Sequence, residues 1–364
     1  MLMKLKRLEI SRLEIPFRFS FKHSSAERSV TEAVIVVTES DALVSGYGEG
    51  CPRGYVTGED VESCKRFFEE FRDELLHLQD IESLRSWVST HSHQIDANPA
   101  AWCAIETALL DLFGKSQGQS IEAVLGASEI KGDFLYTAVL GVSSPKIFEA
   151  QCDQYQRFGI SDIKIKVSGL FESDIYTIRT LRNMIPNCRI RIDANNLWND
   201  AQTASNYILS LECNPWAVEE PLRASDFSSL RRFANAVGCK IILDESFLGL
   251  QTFDQIQDDL DIWIPNIRIS KMGGLLRSLA VAEECRQLNL NFIIGAQVGE
   301  TSILTRMALS LANQFRENVL AREGAFGTYL LARDVTESPI MFGAGGALKA
   351  NFVGLPGIGF DVHL

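Results

Sequence analysis

No apolar run among the 364 residues reaches the roughly 18 that a bilayer span requires. The opening MLMKLKRLEI meets charge too early for the apolar core of a secretory leader. Basic blocks are missing as well: 35 Lys and Arg stand against 47 Asp and Glu, for a formal charge of −12. Phosphate neutralisation needs clustered cations, so a general nucleic-acid binder is excluded. The eight cysteines are scattered singly without a CxxC, which argues against both a disulfide framework and a zinc site. They read instead as small buried hydrophobes in a reducing compartment. No GxGxxG follows the first strand of the repeating region, which removes the simplest case for a dinucleotide fold. A soluble, cytoplasmic protein with neither membrane nor nucleic-acid partner is expected.

What is present falls into zones of different rhythm. Residues 1–131 begin with strand patterns, KLKRLEISRLEI and AVIVVTES, and continue with helical ones, VESCKRFFEEFRDELLHL and PAAWCAIETALLDLFGKSQG. This is an α+β zone. Residues 132–334 repeat one unit. Apolar strands (FLYTAVL, DIKIKV, RIRIDAN, WAVEEP, KIILDES, WIPNIRIS, NFIIGAQ, NVLAREG) alternate with amphipathic helices. Eight βα-type strands in about 200 residues predict an α/β fold with a parallel sheet closed into a TIM-type barrel. Residues 335–364 lose the helical rhythm, and this glycine-rich segment is expected to return to the first zone.

In such a barrel, polar residues at the C-terminal strand ends face the active side. Asp193, Glu219 and Asp244 close three successive strands, 26 and 25 residues apart. Three carboxylates at one height repel unless a cation sits among them, and an oxygen-only set favours Mg²⁺. Independent helix caps would explain one such acid, not three in register. Lys164 and Lys166, two apart on the preceding strand, project to one face, which a helix-covered barrel turns inward. Two adjacent cations beside a divalent metal are expected to depress a lysine pKa, suiting one of them to act as base while the other stays charged and stabilises an anion. Asn195 should share the Asp193 face if the strand continues. Arg268 ends the sixth strand, Lys271 lies just beyond it, and Glu300 follows the seventh. Such a set would remove a proton α to a carboxylate and stabilise the resulting enediolate.

These residues together resemble the enolase superfamily, specifically the muconate-lactonizing-enzyme subgroup of the mandelate racemase/muconate lactonizing enzyme family. The matching pieces are Lys164-Ile165-Lys166, Asp193-Ala194-Asn195, Glu219-Glu220-Pro221, Asp244-Glu245-Ser246 and the Gly273-Gly274 turn, with a cap loop Tyr55-Val56-Thr57-Gly58-Glu59. The resemblance implies a modified (β/α)7β barrel with an α+β capping domain, Mg²⁺ on Asp193, Glu219 and Asp244, and Lys166 as acid/base. Lys164 would help to hold the substrate carboxylate.

One position departs from the pattern. Arg268 stands where the subgroup usually places a second catalytic lysine, and a guanidinium is a poor base. The first reading is therefore a one-base cycloisomerase or lyase in which Lys166 moves the proton and Arg268 stabilises the intermediate. The alternative is a racemase or epimerase of an N-acyl amino acid or dipeptide. A third is an inactive metal- and carboxylate-binding barrel. Against the epimerase, the eighth strand ends in Arg322-Glu323-Gly324, without the Asp-x-Asp pair that resembling dipeptide epimerases use to grip an amino group. Strand seven lacks the histidine of the mandelate-racemase branch. Of the five histidines, His77, His91 and His93 read as solvated. The resemblance puts His23, with Arg18, Lys22 and Arg28, in a loop over the site, where it could bind a second anionic group. Lys271 could replace the missing lysine if the turn is displaced, and otherwise fits a supporting role; Glu300 could pair with Arg268 or meet substrate. The expected partners are a small-molecule carboxylate and further copies of the chain, as dimer or octamer.

Overall fold

The structure, a computed structural model, describes residues 4–23 and 26–364, and the side chains of all of these except 19–23, 26 and 27. Five strands open the chain: β1 (Leu5–Leu13), β2 (Pro16–His23), β3 (Ala26–Val30), β4 (Ala33–Ser40) and β5 (Ser45–Gly50). The central strand β4 pairs antiparallel with β1 and β5, while β2 and β3 form a separate hairpin. The helix Pro99–Gln117 lies directly on β5. Its contact is built from two matching periods. Gly46, Gly48 and Gly50 recur every second residue of the strand, and Ala100, Ala104 and Ala108 every fourth of the helix. These steps are both about 6 Å long. A Cβ on any of the three glycines would come within 2.3 Å of an alanine carbonyl oxygen of that helix. The packing is backbone against backbone, and no side chain larger than hydrogen fits.

The second unit contains β6 (Lys131–Leu135), then eight parallel strands: β7 (Ala138–Leu140), β8 (Asp162–Lys166), β9 (Arg189–Asp193), β10 (Ala217–Glu219), β11 (Lys240–Leu243), β12 (Trp263–Ile267), β13 (Phe292–Ile294) and β14 (Val319–Arg322). Each pairs with its sequence neighbour, and helices intervene. The sheet curls around an inward layer of Ala217, Ile242, Ile264, Ile293 and Ala321. Its ends are bridged by the Thr137 N–H to the Arg322 carbonyl at 2.7 Å rather than by a ladder. The expected continuous strand FLYTAVL is divided at Tyr136, whose N–H bonds to the Gly346 carbonyl. The first half, β6, pairs antiparallel with β15 (Ala347–Asn351) of the C-terminal segment.

That segment continues to the cap, where the Ile358 N–H bonds to Asp111 on the Pro99–Gln117 helix. The cap grips the barrel through buried charge. Glu49 accepts from the Thr301 N–H (3.0 Å) and Oγ1 (2.6 Å), so a cap carboxylate closes the N-terminus of the barrel helix Ser302–Gln314. Arg53 donates to the Val298 carbonyl at 2.7 Å. All eight cysteines are free thiols, and all but Cys239 are buried. His91, expected to be solvated, instead stacks on Trp87 at 4.0 Å and faces Glu74. Among the described residues, no helix is long and apolar enough to cross a membrane.

Candidate active site

Strand register brings the polar ends together. Lys166 lies beside Asp193, and Asp193 beside Glu219, so three charged groups from β8, β9 and β10 stand level at the barrel mouth. Asp244 does not share that height. Glu219 is level with Ile242, and Asp244 follows the last residue of β11, one inward-facing step higher. Its position is set by Glu220, whose carboxylate accepts from the Asp244 N–H (2.8 Å), the Ser246 N–H (2.7 Å) and the Ser246 hydroxyl (2.9 Å). The same carboxylate takes Asn196 Nδ2 at 3.2 Å. One outward carboxylate thereby ties the turn after β9 to the turn after β11, a role the Glu219-Glu220 pair did not disclose in sequence.

Four cations answer these acids. Lys164 Nζ contacts Glu323 at 2.9 Å, Glu219 at 3.2 Å and Asp193 at 3.4 Å. Burial opposes its charge, but Glu219, Glu323 and Asp193 outweigh burial and raise its pKa. Lys164 is therefore the member of the lysine pair that stays charged, because carboxylates surround it on three sides. Lys166 Nζ contacts Asp193 at 2.7 Å and Asn195 Oδ1 at 2.5 Å. Asn195 reaches it from a left-handed turn (φ 44°), not from a continuing strand. Arg268 ion-pairs with Asp244, lies 3.7 Å from Glu219 and donates to Gln297 at 3.0 Å. Burial again opposes its charge, and the two acids more than compensate, so its pKa rises above the arginine value. Gly295 makes room here, since a Cβ there would meet Asn266 Oδ1 at 2.2 Å and Arg268 Cγ at 3.0 Å. Lys271 is buried beneath Asp244, donating to its Oδ1 (2.8 Å), its carbonyl (2.7 Å) and the Asn266 carbonyl (2.9 Å).

The balance is uneven among the acids. Burial pushes Glu219 up to about 8, with help from Asp193, Glu323 and Asp244 and against the pull of Lys164. Asp193, for which burial is outweighed by Lys166 and Lys164, stays well below the carboxylate range. Glu245 is pushed up to about 8 by burial and then by Asp244, and one of its oxygens is buried without a partner. Glu300 is also raised to about 8 by burial; it accepts from the Gln297 N–H at 2.6 Å and makes no ion pair with Arg268. Glu323, by contrast, is held at about 2 by Lys164 and Arg191 despite its burial.

Among the described residues, no three acid, histidine or cysteine side chains stand close enough together to share a metal ion as they are. The reason is visible: Arg268 and Lys271 hold Asp244, while Lys164 and Lys166 hold Asp193. The donor set nonetheless fits a divalent cation, because Asp193, Glu219 and Asp244 offer carboxylate oxygens only, the ligand type that a hard cation such as Mg²⁺ prefers.

The hairpin β2–β3 adjoins this mouth. Phe17 bridges to Leu331, and the Arg18 N–H and Nε donate to the carbonyls of Leu330 and Leu331. Arg28 lies over the Tyr55 ring at 5.5 Å and pairs with Glu32. The side chains of Lys22 and His23 lie outside the described residues. Arg191 and Glu323 went unrecognised as members of the cluster. Their ion pair joins β9 to the end of β14 across the curled sheet, a contact that sequence order does not encode.

Comparison with known proteins agrees with this architecture. Residues 6–126 match the family model described as mandelate racemase / muconate lactonizing enzyme, N-terminal domain. Residues 148–363 match enolase C-terminal domain-like. The chain is 26% identical to the hydrophobic dipeptide epimerase of Enterococcus faecalis, over 85% of this chain and 87% of that protein. It is 23% identical to the N-succinyl-L-Arg/Lys racemase of Bacillus cereus, over 92% and 90%. The crystal structure of the E. faecalis dipeptide epimerase complexed with Mg and L-Leu-L-Tyr superposes with a TM-score of 0.84 at 23% identity, over 98% of this chain and 99% of that one. The chain belongs to the enolase superfamily of enzymes, within its mandelate racemase/muconate lactonizing enzyme family.

Proposed function

We propose that this chain is a Mg²⁺-dependent isomerase that forms an enolate from the carboxylate of an N-acylated amino acid or dipeptide and moves the α-proton with Lys166. The observation that carries the reading is that Lys166 and Arg268 line one pocket and ion-pair with the buried acids Asp193, Glu219 and Asp244, in a chain whose matched relatives are epimerases and racemases. The order of readings drawn from the sequence thus reverses, with epimerisation ahead of cycloisomerisation. Asp193, Glu219 and Asp244 would hold the metal, which when bound supplies positive charge to the substrate carboxylate and acidifies its α-proton. Lys166, steadied by Asn195, takes that proton. Lys164, kept charged by its acids, offers positive charge to the carboxylate. Arg268 stands with Gln297 on the opposite wall. As a firmly charged guanidinium it stabilises the enolate but delivers or removes a proton slowly. Exchange of the α-hydrogen should therefore outpace inversion of the centre.

Arg268 also favours a second reading, the one-base cycloisomerase or lyase. The test is incubation of N-acyl amino acids and dipeptides in D₂O with Mg²⁺, following α-deuterium by NMR and configuration by chiral chromatography. Exchange accompanied by slower inversion supports the epimerase. Exchange with strict retention, or turnover confined to lactone or dehydration substrates, supports the second reading and sinks the first.

A further inference from the structure

The pocket containing Lys166 and Arg268 does not end at the charged cluster. One continuous pocket, open at its mouth, extends from the strand ends to a second wall. The second wall is made by the helix Pro145–Phe158 and the stretch after β14. Gln151, Gln154, Tyr155 and Phe158 recur at three, four and seven residues, the spacing of one helical face. Opposite them, Tyr329 packs on Phe158 at 5.6 Å and on Phe342 at 5.4 Å, and Phe326 meets Phe342 at 5.4 Å. Among the described lining residues of that helix and of the chain from Gly324 to Leu331, with Phe342, there is no Asp, Glu, Lys or Arg.

Two further observations bear on its occupant. Gln151 Oε1 is buried with no hydrogen-bond partner, a costly state for a carboxamide unless something in the pocket meets it. Glu323, the acid at the end of β14, already faces two cations, Lys164 and Arg191, so it offers a third cation little net attraction.

We infer that this annex binds an uncharged apolar or aromatic acyl group, joined to the reacting α-carbon through an amide whose N–H is accepted by Gln151. The assignment rests on the proposed enolate chemistry for the position of the carboxylate, and it narrows the substrate to neutral N-acyl amino acids over N-succinyl compounds and free dipeptides. The amide N–H satisfies the orphaned oxygen, and the acyl group displaces water from the aromatic wall. A second carboxylate or an α-ammonium there would lose its hydration without a counter-charge.

The test uses the full chain with Mg²⁺ and four alanine derivatives: N-benzoyl, N-acetyl, N-succinyl and glycyl. Calorimetric affinity is read separately from α-deuterium exchange. N-benzoyl-alanine should bind at least tenfold more tightly than N-succinyl-alanine or glycyl-alanine; equal or weaker binding overturns the inference. Binding in that order without exchange of any compound would sink the proposed function and leave the annex standing. Gln151→Leu should weaken N-benzoyl-alanine about fivefold or more and leave O-benzoyl-lactate, which lacks the N–H, unchanged. Equal effects on the two compounds, or none, would remove Gln151 from the assignment. Gln154→Glu, at an exposed position of the same face, should weaken N-benzoyl-alanine and leave N-acetyl-alanine unaffected; the converse overturns it.

Discussion

Replacing Arg268 by Lys should convert slow inversion into fast inversion. In the native chain the guanidinium is pinned by Asp244, with Glu219 at 3.7 Å, and its pKa lies above the ordinary arginine value. At pH 8 an ordinary arginine is neutral in fewer than roughly one molecule in 30,000, whereas an ordinary lysine is neutral in about one in 250. The supply of base on that wall therefore rises by at least about 100-fold. A shorter side chain and an altered approach to the α-carbon would return on the order of tenfold of this gain. A net rise of about tenfold in the ratio of inversion to exchange is expected. Proton NMR of the α-position in D₂O gives the exchange rate, and polarimetry on the same sample gives inversion. If Arg268→Lys leaves that ratio unchanged while exchange by Lys166 persists, proton supply on the Arg268 wall is not what limits inversion. Native enzyme that inverts at every exchange would refute the argument equally.

Other perturbations have separate readouts. Lys166→Ala should lower α-exchange by a factor of about 10² to 10⁴ with the fold intact by circular dichroism; full exchange in this variant would assign the proton to another group. Removal of divalent ions should abolish exchange, and Mg²⁺ at about 100 times its Kd should stabilise the fold by about 2.7 kcal/mol in thermal or urea unfolding. Asp193→Asn should remove that stabilisation, and if it survives, the metal binds elsewhere. Glu59 gives a pH signature away from the site. Its carboxylate caps the Pro99–Gln117 helix through Ala100 and Ala101, and burial pushes it up to about 7. A folded pKa above the unfolded value means that the native state binds the extra proton. Its contribution is thus full below about pH 4.5 and is lost as pH rises through about 7. Relative to Glu59→Gln, the native chain should lose up to about 3 kcal/mol of unfolding free energy between pH 4.5 and 7.5; parallel pH profiles for the two would show that Glu59 is ionised throughout.

Period and spacing made the barrel legible, because a βα repeat leaves the same mark in sequence at every turn. The strand-end acids and lysines were legible for the same reason. Less legible was anything that depends on which ends of the sheet meet. FLYTAVL reads as one strand, yet Tyr136 bonds to Gly346 and Thr137 to Arg322, so distant chain segments divide it. Arg191 and Glu323 are 132 residues apart and become partners only when β14 curls back toward β9. The same closure supplies an acid that keeps Lys164 charged and that its sequence neighbours do not reveal: in the fold its nearest acid is Glu323, from the other edge of the curled sheet. That contact also connects mechanism with substrate choice. An acid whose charge is met by Lys164 on one oxygen and by Arg191 on the other exerts little net attraction on an ammonium group further out. Specificity must then come from the next wall, where the side chains are aromatic and the unmet polar atom is a carboxamide oxygen. Freeing Glu323 by Arg191→Met should on this argument raise affinity for glycyl-alanine relative to N-benzoyl-alanine. A calorimetric comparison in which both compounds change together would show that Glu323 serves Lys164 alone and has no bearing on the choice of substrate.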